Sequence, residues 1–485
     1  MHRSPLAGSL RLLLALAACA AGGVRPVQAQ PEPQPAPPPF VQTALALDLA
    51  VDYGRPAVTG TATLTLLNTA ATPVRELPLL LNRLMAVRSV SDGGGRPLPS
   101  RSHVVIFTDD PLRQVNLTTV TLEPALSPGR RVTVRVAYGG PLVGYTETGS
   151  LYIRDHIDPE FTILRVDALA FPTVGIASVQ ANRSIRQELF DFEARVTVPD
   201  SEVVATGGTP IDRQVSGSRA VYRFAGKRVP FVNVAIAPYR IVEDAGIRVY
   251  ALPEDAARAQ GVLEAGRQAM ARLESWYGPL ATPPHVTVIE IPTGFGSQAS
   301  ATAGIILDAA AFQDKAQLPQ FYHELSHFWN PPDLDVPSPR WNEGLATYLQ
   351  FRLAREIDGF AGTTAAVERS RSRACAPPAR TELERVPFLR FGVEGKTDYA
   401  YRVGFLMFTA LEALVGQTAL DAGLRDDIQS HLSKGGTTAD LTAAIRRAAP
   451  TLPDAFFRDW VETSGWVAPV CAAPSLADAL DRWRR

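Results

Sequence analysis

Cysteine is scarce in these 485 residues, three in all, which excludes a disulfide-stapled scaffold and a cysteine-rich zinc module. A surplus of one charge is also lacking: 48 Lys and Arg stand against 49 Asp and Glu, a net charge of -1. A nucleic-acid binder needs excess Lys and Arg to neutralise phosphates, so that class is excluded. Beyond the N-terminus no apolar run approaches the ~20 residues of a membrane-spanning helix. No repeat at solenoid periods and no long run of like charges occurs. What is present is an ordinary globular composition, 46% hydrophobic and 20% charged, which excludes disorder of the whole chain. The length fits two or three domains of ~100–200 residues. The 40 Pro and 36 Gly show no collagen-like period and punctuate turns.

Residues 1–29 read as a signal for export. Arg3 and Arg11 accompany a short apolar core, Leu12 to Ala21, about half of what a spanning helix requires. Two processing sites compete. Val27-Gln28-Ala29 would release a protein starting at Gln30, whereas Leu16-Ala17-Ala18-Cys19 resembles a lipobox that would leave Cys19 as a lipid anchor. Both routes make the protein an exported one, periplasmic or secreted, or held at a membrane. Residues 30–39 form a Pro-rich, extended linker. In an oxidising compartment Cys375 and Cys471 are one pair available for a disulfide.

From residue 40 to 247 the dominant hydrophobic period is two. Leu45, Leu47, Leu49 and Val51 alternate with small or polar residues, as do Ala62-Leu64-Leu66, Val132-Val134-Val136, Phe190 to Val198 and Val232-Val234-Ile236. Such alternation marks strands with one buried face, and turn signals such as Asp92-Gly93-Gly94-Gly95 separate them. The expectation is an α+β chain: an antiparallel β-sandwich or saddle-like domain, followed over 248–485 by a mostly helical domain. In the second part helical spacing runs to Trp276 before Gly278-Pro279, short strands lie at 285–291 and 304–307, and helices continue to the end.

The segment that carries chemistry is Phe321 to Phe351. His323 and His327 stand four apart in a helical stretch after Pro319, so both imidazoles leave one face, one turn apart. A single tetrahedral ion can take both at ~2.0–2.1 Å. Glu324, one position round, lies beside such an ion and can take a proton from a water. Glu343 opens a second helical run and is the preferred third ligand, with Asp333 and Asp335 as alternatives in a Pro-bounded loop. By the chain's own composition H-E-x-x-H arises by chance in roughly one such sequence in a hundred or fewer. That favours a zinc site over a surface coincidence.

At these residues the chain resembles the gluzincin aminopeptidases, the alanyl-aminopeptidase and leukotriene-hydrolase type of zinc metallopeptidase. H-E-L-S-H and R-W-N-E-G-L-A match the family's H-E-x-x-H-(x18)-E and W-L-N-E-G-F-A, with the intervening loop three residues shorter. His327-Phe328-Trp329-Asn330 is also similar to the H-x-W-N of the glycyl-aminopeptidases. The resemblance implies a thermolysin-like catalytic domain, one zinc on His323, His327 and Glu343, and Glu324 as proton acceptor. Tyr401-Arg402-Val403-Gly404 looks like the family's Y-E-K-G, which implies that Tyr401 donates to the developing oxyanion; Tyr399 is the neighbouring rival. One departure concerns specificity. Where the family carries G-A-M-E-N, whose Glu binds the substrate's α-amine, Gly294 to Gly304 holds no carboxylate. Backbone groups at Gly296, Ser297 and Gln298 are candidates for pairing with an extended peptide, and Glu290 lies too far upstream to take the Glu's place. The expected function is therefore an aminopeptidase-like zinc metallopeptidase. An endopeptidase or blocked-N-terminus peptidase is the alternative, as is a peptide-binding envelope lipoprotein without catalysis.

Overall fold

Period-two alternation folds as the pattern requires: Leu45, Leu47, Leu49 and Val51 of the strand Phe40–Asp52 are all buried. The computed structural model describes residues 35–484 apart from 144–153, 184, 186–187, 245, 281–284, 296, 301 and 336–341. The export signal, Cys19 and Gly296 lie outside the described residues. Phe40–Asp52 sits centrally in a seven-stranded sheet, between Ala57–Asn68 and Phe190–Pro199. It pairs antiparallel with the first and parallel with the second, Leu47 opposite Ala194 and Leu49 opposite Val196. A four-stranded sheet built on Val74–Asn82 and Asp110–Leu126 contributes Leu77, Leu79, Leu81, Val120 and Leu122 to the same core.

A three-stranded sheet, Val203–Ala205, Asn233–Ala237 and Thr162–Arg165, joins this β half to the second half of the chain. Every residue of Asn233–Ala237 is buried. Its alternation is therefore not between core and solvent. One face meets the sandwich through Val234 and Ile236, and the other meets the adjoining layer through Ala235 and Ala237.

That adjoining layer is a five-stranded sheet in the order Arg240–Asp244, Ile247–Ala251, Val286–Ile291, Gly304–Asp308, Gln298–Ser300. Its three inner strands are parallel and its two edges antiparallel. The helix Ala259–Tyr277 and the short helix Pro319–Ser326 pack against it through Val262, Leu263, Leu273, Phe321 and Leu325. The remainder is helical: Asn342–Asp358, Thr363–Cys375, Thr397–Val415, Gln417–His431 and Thr438–Ala448 are the longer elements. Cys375 and Cys471 form a disulfide that ties Thr363–Cys375 to the short helix Val467–Ala472. The architecture is thus α+β, a multi-sheet β half followed by a mostly helical one.

Candidate metal centre

Pro319 starts the helix Pro319–Ser326 at its first turn, where its missing N–H costs nothing. Phe321, Tyr322 and Leu325 anchor this helix in the core, and Tyr322 donates from its hydroxyl to Asp358 at 2.9 Å. His323 and Glu324 are 8% and 9% exposed, and His327 begins the 3₁₀ turn that ends the element. Glu343 comes from the first turn of Asn342–Asp358. That helix is fixed further along by Arg352, which donates to Asp421 at 2.8 Å and stacks 3.6 Å from the centre of the Trp276 ring.

These helices bring the three candidate ligands together. Glu343 Oε2 lies 3.0 Å from His323 Nε2 and 3.6 Å from His327 Nε2, and ligand atoms of all three fall within 4.8 Å of one another. Tetrahedral ligands at ~2.0–2.1 Å from one ion stand on the order of 3.3 Å apart, so the donor set fits a zinc ion. The edge of the His327 imidazole facing away from the ion is held as well. Asn342 Oδ1 accepts from His327 Nδ1 at 2.9 Å, and Asn330 donates to the Asn342 carbonyl at 3.2 Å. Such contacts fix ring orientation and leave the His327 Nε2 lone pair for a cation. Asn330 and Asn342 stand inside the H-F-W-N and W-N-E-G stretches. The sequence thus contains both, but no spacing rule assigns them this role.

The electrostatics suit proton transfer. Burial pushes the Glu324 carboxyl up to about 7; the Glu343 charge pushes the same way and His323 opposes them. Burial takes His327 down to about 4 against the attraction of Glu343, favouring the neutral, metal-binding imidazole. Glu343 is pulled below the usual range because the His323 hydrogen bond and both histidine charges outweigh its burial. Burial lowers His323, but the Glu343 hydrogen bond and the charges of Glu324 and Glu343 outweigh that and raise it.

Tyr401 stacks on His323, ring centroids 5.8 Å apart and planes 11° from parallel. Its hydroxyl faces Glu343, and burial together with that carboxylate drives its ionisation far upward, so it is a phenol and a donor. The rival Tyr399 donates at 3.0 Å to Glu382, which also pairs with Lys396, so its hydroxyl is turned elsewhere. What places Tyr401 is a helix crossing: a Cβ on Gly344 would stand 2.6 Å from the Cα of Gly404, and one on Gly404 2.5 Å from the Cα of Gly344. Two glycines let Thr397–Val415 touch Asn342–Asp358 beside Glu343.

Of the alternative third ligands, Asp335 accepts from Thr438 N–H at 2.8 Å and Asp333 from Asp335 N–H at 2.8 Å. Both belong to the loop and to the start of Thr438–Ala448. Glu290 is buried and accepts from Leu252 N–H at 2.6 Å beside Asp255. The strand Gln298–Ser300 is a sheet edge, unpaired on its outer side among the described residues. It packs against the Pro319–Ser326 helix and the His327–Trp329 turn. Ser297 accepts from Asp308 N–H at 3.2 Å, and the Gln298 side chain donates to Asp167 of the β half. The side chains at these two positions serve the fold, and the open edge is backbone.

No protein family's sequence profile matches the chain, and no curated protein matches it in sequence. Solved structures do. The crystal structure of an M1 zinc metallopeptidase from Deinococcus radiodurans aligns with a TM-score of 0.60 at 21% identity, covering 84% of this chain and 90% of that one. A mutant of that enzyme with a glutamate replaced by alanine aligns at 0.60 and 20% identity, covering 87% and 94%. The same mutant bound to a Tyr-Ser-Ala substrate aligns at 0.59 with the same identity and coverage. The likeness is one of fold: this chain has the architecture of the M1 zinc metallopeptidases, with two histidines and a glutamate gathered as a group able to hold a metal ion.

Proposed function

We propose that the protein is a zinc-dependent peptidase of aminopeptidase type. The convergence of His323, His327 and Glu343, with Glu324 buried beside them and Tyr401 stacked across the site, carries this reading. A zinc ion held by those three residues would acidify a water and polarise a peptide carbonyl. Glu324, with its carboxyl raised to about 7, accepts the proton of the attacking water near neutral pH and returns it to the leaving amine. Tyr401 donates its phenolic proton in a hydrogen bond to the carbonyl oxygen as charge develops there. The open edge of Gln298–Ser300 pairs with the extended substrate. The fold of the M1 metallopeptidases supports the reading, as does the neighbour crystallised with the Tyr-Ser-Ala substrate.

The aminopeptidase part rests on Asp167. Gly294 to Gly304 contains no carboxylate, but Asp167 reaches the edge strand from the β half and accepts from Gln298. It gives a substrate's free α-amine a negative partner. The test compares free and N-acetylated peptides with the zinc-loaded enzyme. Loss of most turnover on acetylation, and a smaller loss in Asp167→Asn, is the expected pattern. Equal cleavage of both would point instead to an endopeptidase or blocked-N-terminus peptidase. Binding without cleavage of any peptide would point to a non-catalytic receptor. The Cys375–Cys471 disulfide supports a place outside the reducing cytoplasm, periplasmic, secreted or lipid-anchored through Cys19. Mass spectrometry of the mature N-terminus separates these.

A further inference from the structure

A cavity of about 630 Å³ lies in the helical half, and no residue of the metal group lines it. The volume falls within the ~300–1,000 Å³ of ordinary ligand pockets. Two helices form its sides. Tyr348, Arg352 and Arg355 make one stripe along Asn342–Asp358, and Phe405, Thr409 and Glu412 make one along Thr397–Val415. Val367, Leu476 and Leu480, all buried, add an apolar wall.

The polar groups in the lining are few and specific. Glu412 accepts from the Tyr348 hydroxyl at 3.0 Å through one oxygen. Its other oxygen stands 3.8 Å from the Arg355 guanidinium. That is an ion-pair distance too long for a hydrogen bond, so Arg355 keeps donors for a ligand. Arg352 is committed to Asp421. Thr363 also lines the cavity, and its hydroxyl oxygen is buried without a hydrogen-bond partner among the described residues. Hydrocarbon alone leaves these groups unmet, and a plain anion meets the Glu412 carboxylate as well as Arg355. A zwitterion turns each charge to its opposite, ammonium to Glu412 and carboxylate to Arg355, with an apolar side chain against Phe405 and Leu480.

We infer that this cavity binds a free apolar amino acid, aromatic or leucine-sized, and that its occupancy slows the metal centre. The two stripes run back to that centre: Gly344 stands one turn before Tyr348, and Tyr401 one turn before Phe405. The helices touch through Gly344 and Gly404, so a body inserted between them further along shifts Tyr401 against Glu343. Such an amino acid is the class of molecule an aminopeptidase releases. The slowing therefore rests on the peptidase reading, while the binding rests on the cavity alone.

The probes are L-phenylalanine and L-leucine, added to the zinc-loaded protein and followed by calorimetry and by peptide turnover. Each should bind, and at saturation kcat should fall by about two-fold or more with KM for the peptide unchanged, which competition does not produce. N-acetyl-phenylalanine and phenylalaninamide each lack one charge and should bind about ten-fold more weakly, the loss of one charged hydrogen bond. Ala413→Trp, on the exposed rim, blocks the cavity, and Arg355→Gln removes the partner of the carboxylate. Both should weaken binding by about ten-fold or more, while turnover without added amino acid stays as in wild type. Arg355→Gln decides the matter if Ala413→Trp does not fold. No binding, or inhibition that competes with the peptide and survives both variants, overturns the site. Binding that both variants weaken, with kcat untouched, overturns the slowing alone. The same binding in a protein that cleaves no peptide upholds the site and overturns the peptidase reading, and the slowing with it.

Discussion

Glu324 and Tyr401 are both close to the candidate ligands, yet they should fail differently when altered. Tyr401→Phe removes one hydroxyl and keeps the ring stacked on His323, so fold and metal affinity should hold while kcat falls by about 10²–10³, the usual loss for one oxyanion donor. Steady-state kinetics with unchanged KM checks it. Asn342→Ala should act through orientation: without the partner of His327 Nδ1, metal affinity should drop by about 10–100-fold, read by competition with a chromophoric chelator. The two histidines and Glu343 are legible in the sequence as one group because helical spacing and short motifs fix them. The contacts of Asn342 and Asp167 are not, since they depend on which atoms face a ring or a strand after folding. Glu290 gives a separate prediction. Burial, with Asp255 beside it, raises its carboxyl to about 9. Between about 4.5, its ordinary value, and about 9 the folded state holds a proton that the unfolded chain releases, so stability declines as pH rises through that window. Glu290→Gln should remove the decline and raise stability at pH 9 by a few kcal/mol, measured by urea unfolding at several pH values.

Among the elements, the crossing of Asn342–Asp358 with Thr397–Val415 governs the site. Gly344 and Gly404 touch backbone to backbone, so a methyl group at either must push the helices apart. Gly344→Ala should cost about 1–3 kcal/mol, as overpacking does, and should also lower activity by moving Tyr401 away from Glu343. A thermal melt together with kinetics at permissive temperature separates the two effects. The sequence marks both glycines, one in W-N-E-G-L-A and one in Tyr401-Arg402-Val403-Gly404, but not that they meet. Strand periods are equally informative within limits. They locate Phe40–Asp52 and Phe190–Pro199, but the parallel pairing of these two strands joins segments far apart in sequence, and alternation alone carries no partner identity. In Asn233–Ala237 both faces are buried, which only the layer order explains.

For the whole molecule, the disulfide between Cys375 and Cys471 closes a loop with a sequence separation of 96. Cross-linking so distant a pair stabilises by at most about 4.7 kcal/mol through the unfolded chain, and typically by about 2–4. The Cys375→Ser, Cys471→Ser double variant should therefore melt several degrees lower, while its metal content stays unchanged because neither residue belongs to the candidate metal group. Pairing of these cysteines is open in the sequence, which shows an available pair and not a contact. The two halves meet where a Cβ on Gly207 would fall 1.6 Å from the Ala303 carbonyl oxygen. This contact sets the β half against the turn after the edge strand Gln298–Ser300, and it accounts for a glycine whose purpose is invisible in one dimension.

The most direct test of a metal-bound water activated by Glu324 is metal content by plasma mass spectrometry together with peptide turnover, measured on wild type and on Glu324→Gln. Both proteins should hold about one zinc per chain, and the variant should lose turnover by a factor of about 10³ or more, because only the proton acceptor has changed. Turnover at the wild-type rate in Glu324→Gln, or peptide cleavage by a wild-type protein free of metal, would contradict it.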